Sequence, residues 1–220
     1  MKLHALARLT LLGLIYVYTI RMVGTFSPGA FESIPVVGVI VGFNMLAGIV
    51  QVFFFVSLLK KKLLTEKPAL RNAAWFAVIG SSIAMLPKFI AGAMLFQAPT
   101  LLYVVLYSGS ISAWCPWLSS LLLFIFSLIC YLYFDPVYYQ PHRRSFLFGA
   151  VGWLVMTIAQ SMVLVNYMAS GRLVWLADLF KAGPILFIIA SFISLVCLSL
   201  FYLDFARRPY TNAKQSMAAI

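Results

Sequence analysis

The sequence predicts an all-α integral membrane protein: a six-transmembrane-helix bundle with both termini cytoplasmic and short interfacial segments on the outer side. Two observations carry this prediction. The chain of 220 residues is 64% hydrophobic and only 10% charged, whereas a soluble domain has roughly 25% charged residues. Its apolar residues also form long runs without alternation, and in lipid only a helix satisfies the backbone of such a run. Because these runs use almost all of the chain, residues 1–220 are expected to form a single transmembrane domain.

Each predicted span is long enough for the bilayer core, which needs about 20 residues of helix. The first span follows a basic start, as a secretory leader would. Its apolar run is long for a leader, however, and no small-residue cleavage site follows Arg21, so we interpret it as an uncleaved span. The six spans are residues 5–24, 35–59, 72–96, 114–134, 145–168 and 183–205.

The orientation follows from the positions of the basic residues. Twelve of the 16 Lys and Arg residues lie at the N-terminus (Lys2 and Arg8), after the second span, after the fourth or after the sixth. With six helices these four regions share one side, and the excess of basic residues predicts that this side is cytoplasmic. The same residues predict contact with anionic lipids at the cytoplasmic face. Because they sit at the ends of apolar runs rather than on one soluble face, nucleic acid is not a predicted partner.

Two segments on the predicted outer side differ from ordinary loops. Residues 99–113 are too apolar for an aqueous loop and too short to cross the membrane, so they are expected at the interface or re-entering between helices. Residues 170–182 place Leu173, Leu176 and Phe180 on one helical face, which predicts a short interfacial helix that ends at Gly183 and Pro184.

The third span contains the sequence's most unusual feature, Pro87 followed by Lys88. Pro87 cannot donate to the carbonyl of Ile83, which predicts a kink. A lysine in hydrocarbon costs about 2.5–3.5 kcal/mol, so Lys88 is expected to face a partner or a wet cavity. Asn72 is expected to cap the start of this span, and Pro116 is expected in the first turn of the next one.

Three polar residues are predicted to share one depth in the membrane. Counting along their spans places Lys88, Asn44 and Gln160 each roughly 12–13 Å from the outer end, at 1.5 Å per residue. Asn44, Gly48 and Gln51 follow helical i, i+4, i+7 spacing, and such a stripe of small and amide residues either packs helices closely or lines a cavity. The predicted ligand-binding residues are therefore Lys88, Asn44, Gln160 and Gln51.

The sequence is also compatible with two other roles for Lys88. The ammonium group could be structural, donating to carbonyl groups or pairing with Asp178 if the outer interfacial helix folds over the bundle. It could also extend outward to the interface without any role, although helical side chains point back towards the N-terminal end of their helix, which here is the cytoplasmic end.

The sequence offers little to a catalytic mechanism. It contains no HExxH, GxSxG or Walker motif, and its acidic residues all lie at or near span ends. His4 and His142 are predicted near the cytoplasmic surface, and Cys115, Cys130 and Cys197 are isolated. We therefore predict no enzyme activity, no catalytic residue, no bound metal and no cofactor.

The predicted function is solute binding or transport, by the chain alone or as a transporter subunit. An outward-facing polar pocket around Lys88 would take a small anionic or carbonyl-bearing solute. The alternative is a non-catalytic scaffold, sensor or assembly subunit that binds a membrane protein partner. Gly38 and Gly42 and the apolar outer segments could provide the contact surface for such a partner.

An inverted repeat of three helices plus three fits six spans, although the halves share no residue-level similarity. The lack of N-glycosylation sequons favours a bacterial inner membrane.

Overall fold

The computed structural model describes residues 2–26, 34–60, 64, 67–97, 110–134, 140–169 and 177–207. This part of the chain is helical and contains no strand. Six of its stretches are long and apolar enough to span a membrane, which confirms the predicted all-helical class and the number of spans. The helices are α1 (Leu3–Phe26), α2 (Ile34–Leu59), α3 (Pro68–Ile83), α4 (Leu86–Gln97), α5 (Ser110–Tyr133), α6 (Gln140–Ala169) and α7 (Ala177–Arg207).

The spans form a closed ring. Each span packs against the next one along the chain, with α3 and α4 together making the third span, and α7 returns to pack against α1. The N-terminal ends of α1, α3 and α6 meet the C-terminal ends of α2, α5 and α7 in one buried cluster, so neighbouring spans run in opposite directions. We call this end of the ring the basic end. Its described basic residues are Lys2, Arg8, Lys60, Lys67, Arg71, Arg143, Arg144 and Arg207.

Near the basic end the bundle is filled by aromatic rings, which we call the aromatic seal. The rings meet edge to face: the Phe54 and Phe205 centroids are 5.6 Å apart and those of Phe126 and Phe146 are also 5.6 Å apart. In lipid the hydrophobic effect does not drive helices together, so van der Waals packing has to hold the bundle. The contact area of these rings and their edge-to-face geometry provide such packing. The members of the aromatic seal are Phe54, Phe55, Phe126, Phe146, Phe201, Tyr202 and Phe205.

Glycines bring α6 and α7 close enough for the aromatic seal to form. A methyl group on Gly149 would lie 3.0 Å from Cδ2 of Phe201, and one on Gly152 would lie 2.9 Å from Cγ of Leu198. Both distances are below normal carbon contacts, so any larger side chain would separate the two helices. At the edge of the seal, His142 Nδ1 and Asp204 Oδ2 are 3.3 Å apart and join the same pair of helices.

The third span is interrupted just before Pro87, at which a kink was predicted. Ala84 and Met85 separate α3 from α4. The Met85 amide donates to the Ser82 carbonyl at 3.0 Å, one residue closer along the chain than in an α-helix, and the Phe89 amide resumes the α-helical pattern by donating to Met85 at 2.9 Å. The break therefore comes just before Pro87, as expected from a residue that has no amide hydrogen and disfavours helical geometry in the residue before it.

Two helix starts differ from the predictions. The third span begins at Pro68, preceded by extended Lys67 (φ −111°, ψ 126°), so the prediction that Asn72 caps it is wrong. Proline at the first helical position fixes the required φ and loses no intrahelical bond, which explains the earlier start. The helix α5 begins at Ser110, so Pro116 lies inside this helix and not in its first turn. A membrane helix tolerates such a proline because neighbouring groups satisfy the freed carbonyl.

The prediction of a separate interfacial helix ending at Gly183 and Pro184 is also wrong. The helix α7 begins at Ala177 and continues through both residues to Arg207. Glycine and proline stop helices in water more effectively than in an apolar environment, where continuing the helix avoids further unsatisfied backbone groups. Residues 170–176 lie outside the described residues, as do residues 98–109, on which the prediction of an interfacial or re-entrant segment falls.

The aromatic seal predicts a position-specific effect on stability. Replacing Phe54, which is 0% exposed, by alanine should lower the free energy of unfolding by about 3–5 kcal/mol because a cavity remains among the rings. Its neighbour Phe53 is 58% exposed on the outside of the ring, so Phe53→Ala should change the free energy of unfolding by less than about 1 kcal/mol. Denaturation in mixed detergent micelles measures both. Equal losses in the two variants would contradict the seal.

Candidate functional site

A cavity of about 260 Å³ lies inside the ring, and all six spans contribute to its wall. This volume is slightly below the range of typical small-ligand pockets, roughly 300–1,000 Å³, so the cavity suits a small solute. Most of its lining is apolar, with a few polar side chains among it. The lining residues are Thr10, Gly13, Leu14, Val17, Tyr18, Ala47, Gly48, Gln51, Ala84, Pro87, Lys88, Pro116, Ser119, Ser120, Leu123, Trp153, Met156, Gln160 and Tyr202.

The structure brings three of the four sequence-predicted site residues to this cavity. Lys88 reaches it from α4, Gln51 from α2 and Gln160 from α6. Gln160 is only 6% exposed, so its carboxamide is held inside the bundle. Lys88 and Gln160, which were predicted at one depth on different spans, thus line the same internal space.

Asn44 is the exception, because it is not among the described residues that line the cavity. It lies one helical turn before the lining residue Gly48 on α2. Its side-chain Oδ1 is buried and has no hydrogen-bond partner among the described residues. Counting residues gave the height of Asn44, but height alone does not distinguish a cavity wall from a contact between two helices.

Lys88 is positioned by the interrupted span. It is the third residue of α4, and its Nζ lies 3.1 Å from the point that a methyl group on Gly48 would occupy. The following residue, Phe89, is 48% exposed on the outer surface. The ammonium group therefore faces α2 across the interior of the ring, and it does not extend into lipid. Glycine at position 48 leaves the space that this arrangement requires.

The cavity is bounded towards the basic end by the aromatic seal. Gln51 Nε2 donates to the hydroxyl oxygen of Tyr202 at 3.4 Å, and Tyr202 belongs to both the seal and the cavity wall. Leu123 and Trp153 likewise belong to the buried cluster and to the lining. Along α2, the lining residue Gln51 comes just before Phe54 of the seal. The tightly packed half of the bundle thus lies between the cavity and the basic end.

Several hydroxyl groups in the wall are already used by the protein itself. Thr10 Oγ1 donates to the Leu6 carbonyl at 2.8 Å and Ser120 Oγ to the Trp117 carbonyl at 2.9 Å, each within its own helix. The Tyr18 hydroxyl lies 3.7 Å from Sδ of Met156 and links α1 to α6. These groups contribute less to a ligand than the amide side chains and the lysine do.

The electrostatic character of the cavity is set by Lys88. It is the one cation among the described lining residues, none of which is acidic. No group of three His, Cys, Asp or Glu residues within the described ranges is placed to hold a metal ion. The arrangement therefore offers positive charge and hydrogen-bond donors to a solute, within an apolar wall.

Sequence reasoning missed the aromatic part of the wall, Tyr18, Trp153 and Tyr202. Each lies in an apolar run that contains other aromatic residues, and nothing local separates a lining ring from a lipid-facing one. The adjacent serines Ser119 and Ser120 carried a usable signal, because two hydroxyl groups side by side in an apolar run favour the interior of a bundle.

Comparison with known proteins adds no relative. No protein-family model matches the chain, and neither a curated protein nor a solved structure matches it. The candidate site is therefore defined by its own geometry: Lys88, Gln51 and Gln160 around one cavity within a ring of six helices.

Proposed function

We propose that this chain is a solute-binding or transport protein, alone or as a transporter subunit, and that the central cavity holds a small anionic or carbonyl-bearing solute. One observation carries the proposal: Lys88, Gln51 and Gln160 come from three different spans and line one cavity inside the ring. A lysine needed only for packing would be expected in a filled contact between helices. This one borders a space that can admit a solute, together with two side-chain amides that can donate to it.

The proposed orientation follows from the charges and the seal together. Basic residues favour the cytoplasmic side of a membrane, so the basic end is assigned to the cytoplasm, with both termini there. The aromatic seal then lies between the cavity and the cytoplasm, and the cavity faces outward. The proposed location is a bacterial inner membrane, with anionic lipids around the basic end. Binding needs only this conformation, whereas transport also requires the aromatic seal to open.

The proposed orientation can be tested by thiol labelling at Lys88. In a variant whose three native cysteines are replaced by alanine, Lys88→Cys should react with a membrane-impermeant maleimide added outside intact cells, because water in the cavity permits thiolate formation. Phe89→Cys is one residue further along α4, on the lipid-facing surface of the ring. It should remain unlabelled because its thiol lies in lipid. Labelling of Lys88→Cys only after the cytoplasmic side is exposed would contradict the outward-facing cavity.

Occupancy of the cavity can be tested without knowing the ligand. Native mass spectrometry of protein purified from its own membrane should detect a bound small molecule. Lys88→Met should lose this molecule because the charge is gone, and Gly48→Ala should lose it because the added methyl group meets Met85 and Lys88 Nζ. We expect at least about a tenfold loss of occupancy in each case.

The matched control is Gly42→Ala on the same helix, because a methyl group at Gly42 meets no atom within 4 Å. This variant should retain the bound molecule. Equal occupancy in the wild type, Lys88→Met and Gly48→Ala would show that the molecule is not held in the cavity.

A further inference from the structure

One hydrogen-bond donor in the cavity wall has no acceptor within the described part of the chain. Trp153 lines the cavity from α6 and is 8% exposed. Its indole Nε1 is buried and makes no hydrogen bond to any described residue. An indole nitrogen can only donate, and a buried donor without an acceptor costs roughly 1–3 kcal/mol. An acceptor atom on an occupant of the cavity would remove this cost.

The other described tryptophans are placed differently. Trp117 Nε1 donates to Ser161 Oγ at 2.9 Å and so joins α5 to α6. Trp75 and Trp114 are exposed on the outside of the bundle. Among the four tryptophans that the structure describes, Trp153 is therefore the one whose indole nitrogen is buried without an acceptor.

Packing alone does not account for an indole at position 153. Trp153 is the one tryptophan in the described buried cluster, whose other aromatic residues are phenylalanines and one tyrosine. A phenylalanine could fill an apolar contact without any polar atom, and a buried indole usually finds a partner for its N–H group. The nitrogen of Trp153 thus adds a cost that the packing of the aromatic seal does not require.

Trp153 lies towards the end of the cavity that the aromatic seal closes. Along α6 it is about two helical turns, or roughly 10 Å, from Phe146 of the seal and equally far from Gln160 in the other direction. The contact between Gln51 Nε2 and the Tyr202 hydroxyl oxygen, at the same end, is 3.4 Å long, which exceeds the usual range of about 2.7–3.2 Å. The donors at this end therefore have a distant acceptor or none among the described residues.

The chemistry of the wall indicates the class of group that would accept from Trp153. A carbonyl oxygen has two lone pairs and carries no hydrogen that would itself need an acceptor. The surrounding wall is apolar, with Leu14, Leu123 and Met156 among its residues, and the volume of about 260 Å³ admits a small ring or a short chain. A hydrocarbon of that size would fill the space but leave the indole N–H group without an acceptor. A carbonyl group on an apolar body satisfies both.

We propose that the cavity has a carbonyl-binding subsite next to the aromatic seal, in which an oxygen atom of the solute accepts a hydrogen bond from Nε1 of Trp153. This inference rests on the proposed function, since it adds a subsite to the same cavity. It makes Trp153 a specificity-determining residue: solutes with an oxygen at this place bind, and hydrocarbons of the same shape bind weakly.

Two probes of the same shape test the proposal: acetophenone, which has a carbonyl oxygen, and 2-phenylpropene, which has a methylene group in its place. The full chain, with isotope labels at the indole nitrogens of its five tryptophans, is titrated with each probe in phosphatidylcholine nanodiscs and followed by NMR. The signal of Trp153 is the one that Trp153→Phe lacks. Acetophenone should move its proton downfield until saturation, because a hydrogen bond deshields the proton, and 2-phenylpropene should not. The signal of Trp117 should stay in place.

Equilibrium dialysis against empty nanodiscs gives the affinities and allows for partition into lipid. Trp153→Phe should weaken acetophenone binding about tenfold and 2-phenylpropene binding by less than about twofold, because only acetophenone loses a hydrogen bond. The matched control is Trp117→Phe, which removes an indole nitrogen outside the described lining and should leave both affinities within about twofold. If Trp153→Phe does not fold, substitution of the other four tryptophans assigns the signal of Trp153 by elimination, and the wild-type titration decides.

The outcomes separate this inference from the proposed function. If Gly48→Ala abolishes acetophenone binding but the wild-type signal of Trp153 does not move downfield, the cavity binds solutes and the inference is wrong. Equal shifts with both probes would also overturn it, because they would indicate ring contact and not a hydrogen bond. If Gly48→Ala leaves acetophenone binding unchanged, or if the folded wild type holds neither acetophenone nor a molecule from its own membrane, both the inference and the proposed function are contradicted.

Discussion

The charged ammonium group of Lys88 is costly in hydrocarbon. The half of the bundle away from the basic end keeps this group out of lipid. The third span breaks at Ala84 and Met85, so that α4 starts afresh and carries Lys88 in its first turn. Gly48 on the facing helix provides the space into which the side chain extends. Closing the six spans into a ring then places this group in a shared interior cavity. Two spans together avoid the cost of a charge in lipid: the third span is interrupted before Lys88, and the second has a glycine where the lysine side chain needs room.

The other half of the bundle is organised by packing. In a membrane, helices associate through dispersion contacts and close backbone approach rather than through exclusion of water. The aromatic seal supplies such contacts near the basic end, and Gly149 and Gly152 allow α6 and α7 to approach. Tyr202 belongs to both halves, since its ring lies in the seal and its hydroxyl group accepts from Gln51 at the cavity. A dense half and a hollow half give the ring one closed side, as the proposed binding of a solute from the other side requires.

The sequence predicted the features that depend on local chemistry. Hydropathy identified the six spans, Pro87 marked the interruption, and residue counting placed Lys88 and Gln160 at one depth. Rotation about a helix axis depends on the neighbouring helices, so Asn44 was assigned to the cavity although it is not among the described residues that line it. The aromatic wall was missed because 11 tyrosines and 19 phenylalanines give no local contrast. Gly183 and Pro184 were interpreted as a helix end by a rule that holds in water but is weaker in lipid.

The most direct test of this architecture is the environment of successive positions on α2, measured by spin-label collisions with a water-soluble nickel chelate and with oxygen in a bilayer. Labels at Ala47 and Gln51 should meet the chelate, because these residues line the cavity. Labels at Phe43, Leu46 and Phe53, which are exposed on the outside of the ring, should meet oxygen. Labels at Phe54 and Leu58 should meet neither. Oxygen contact at Gln51, or chelate contact at Phe54, would contradict a sealed ring with a central cavity.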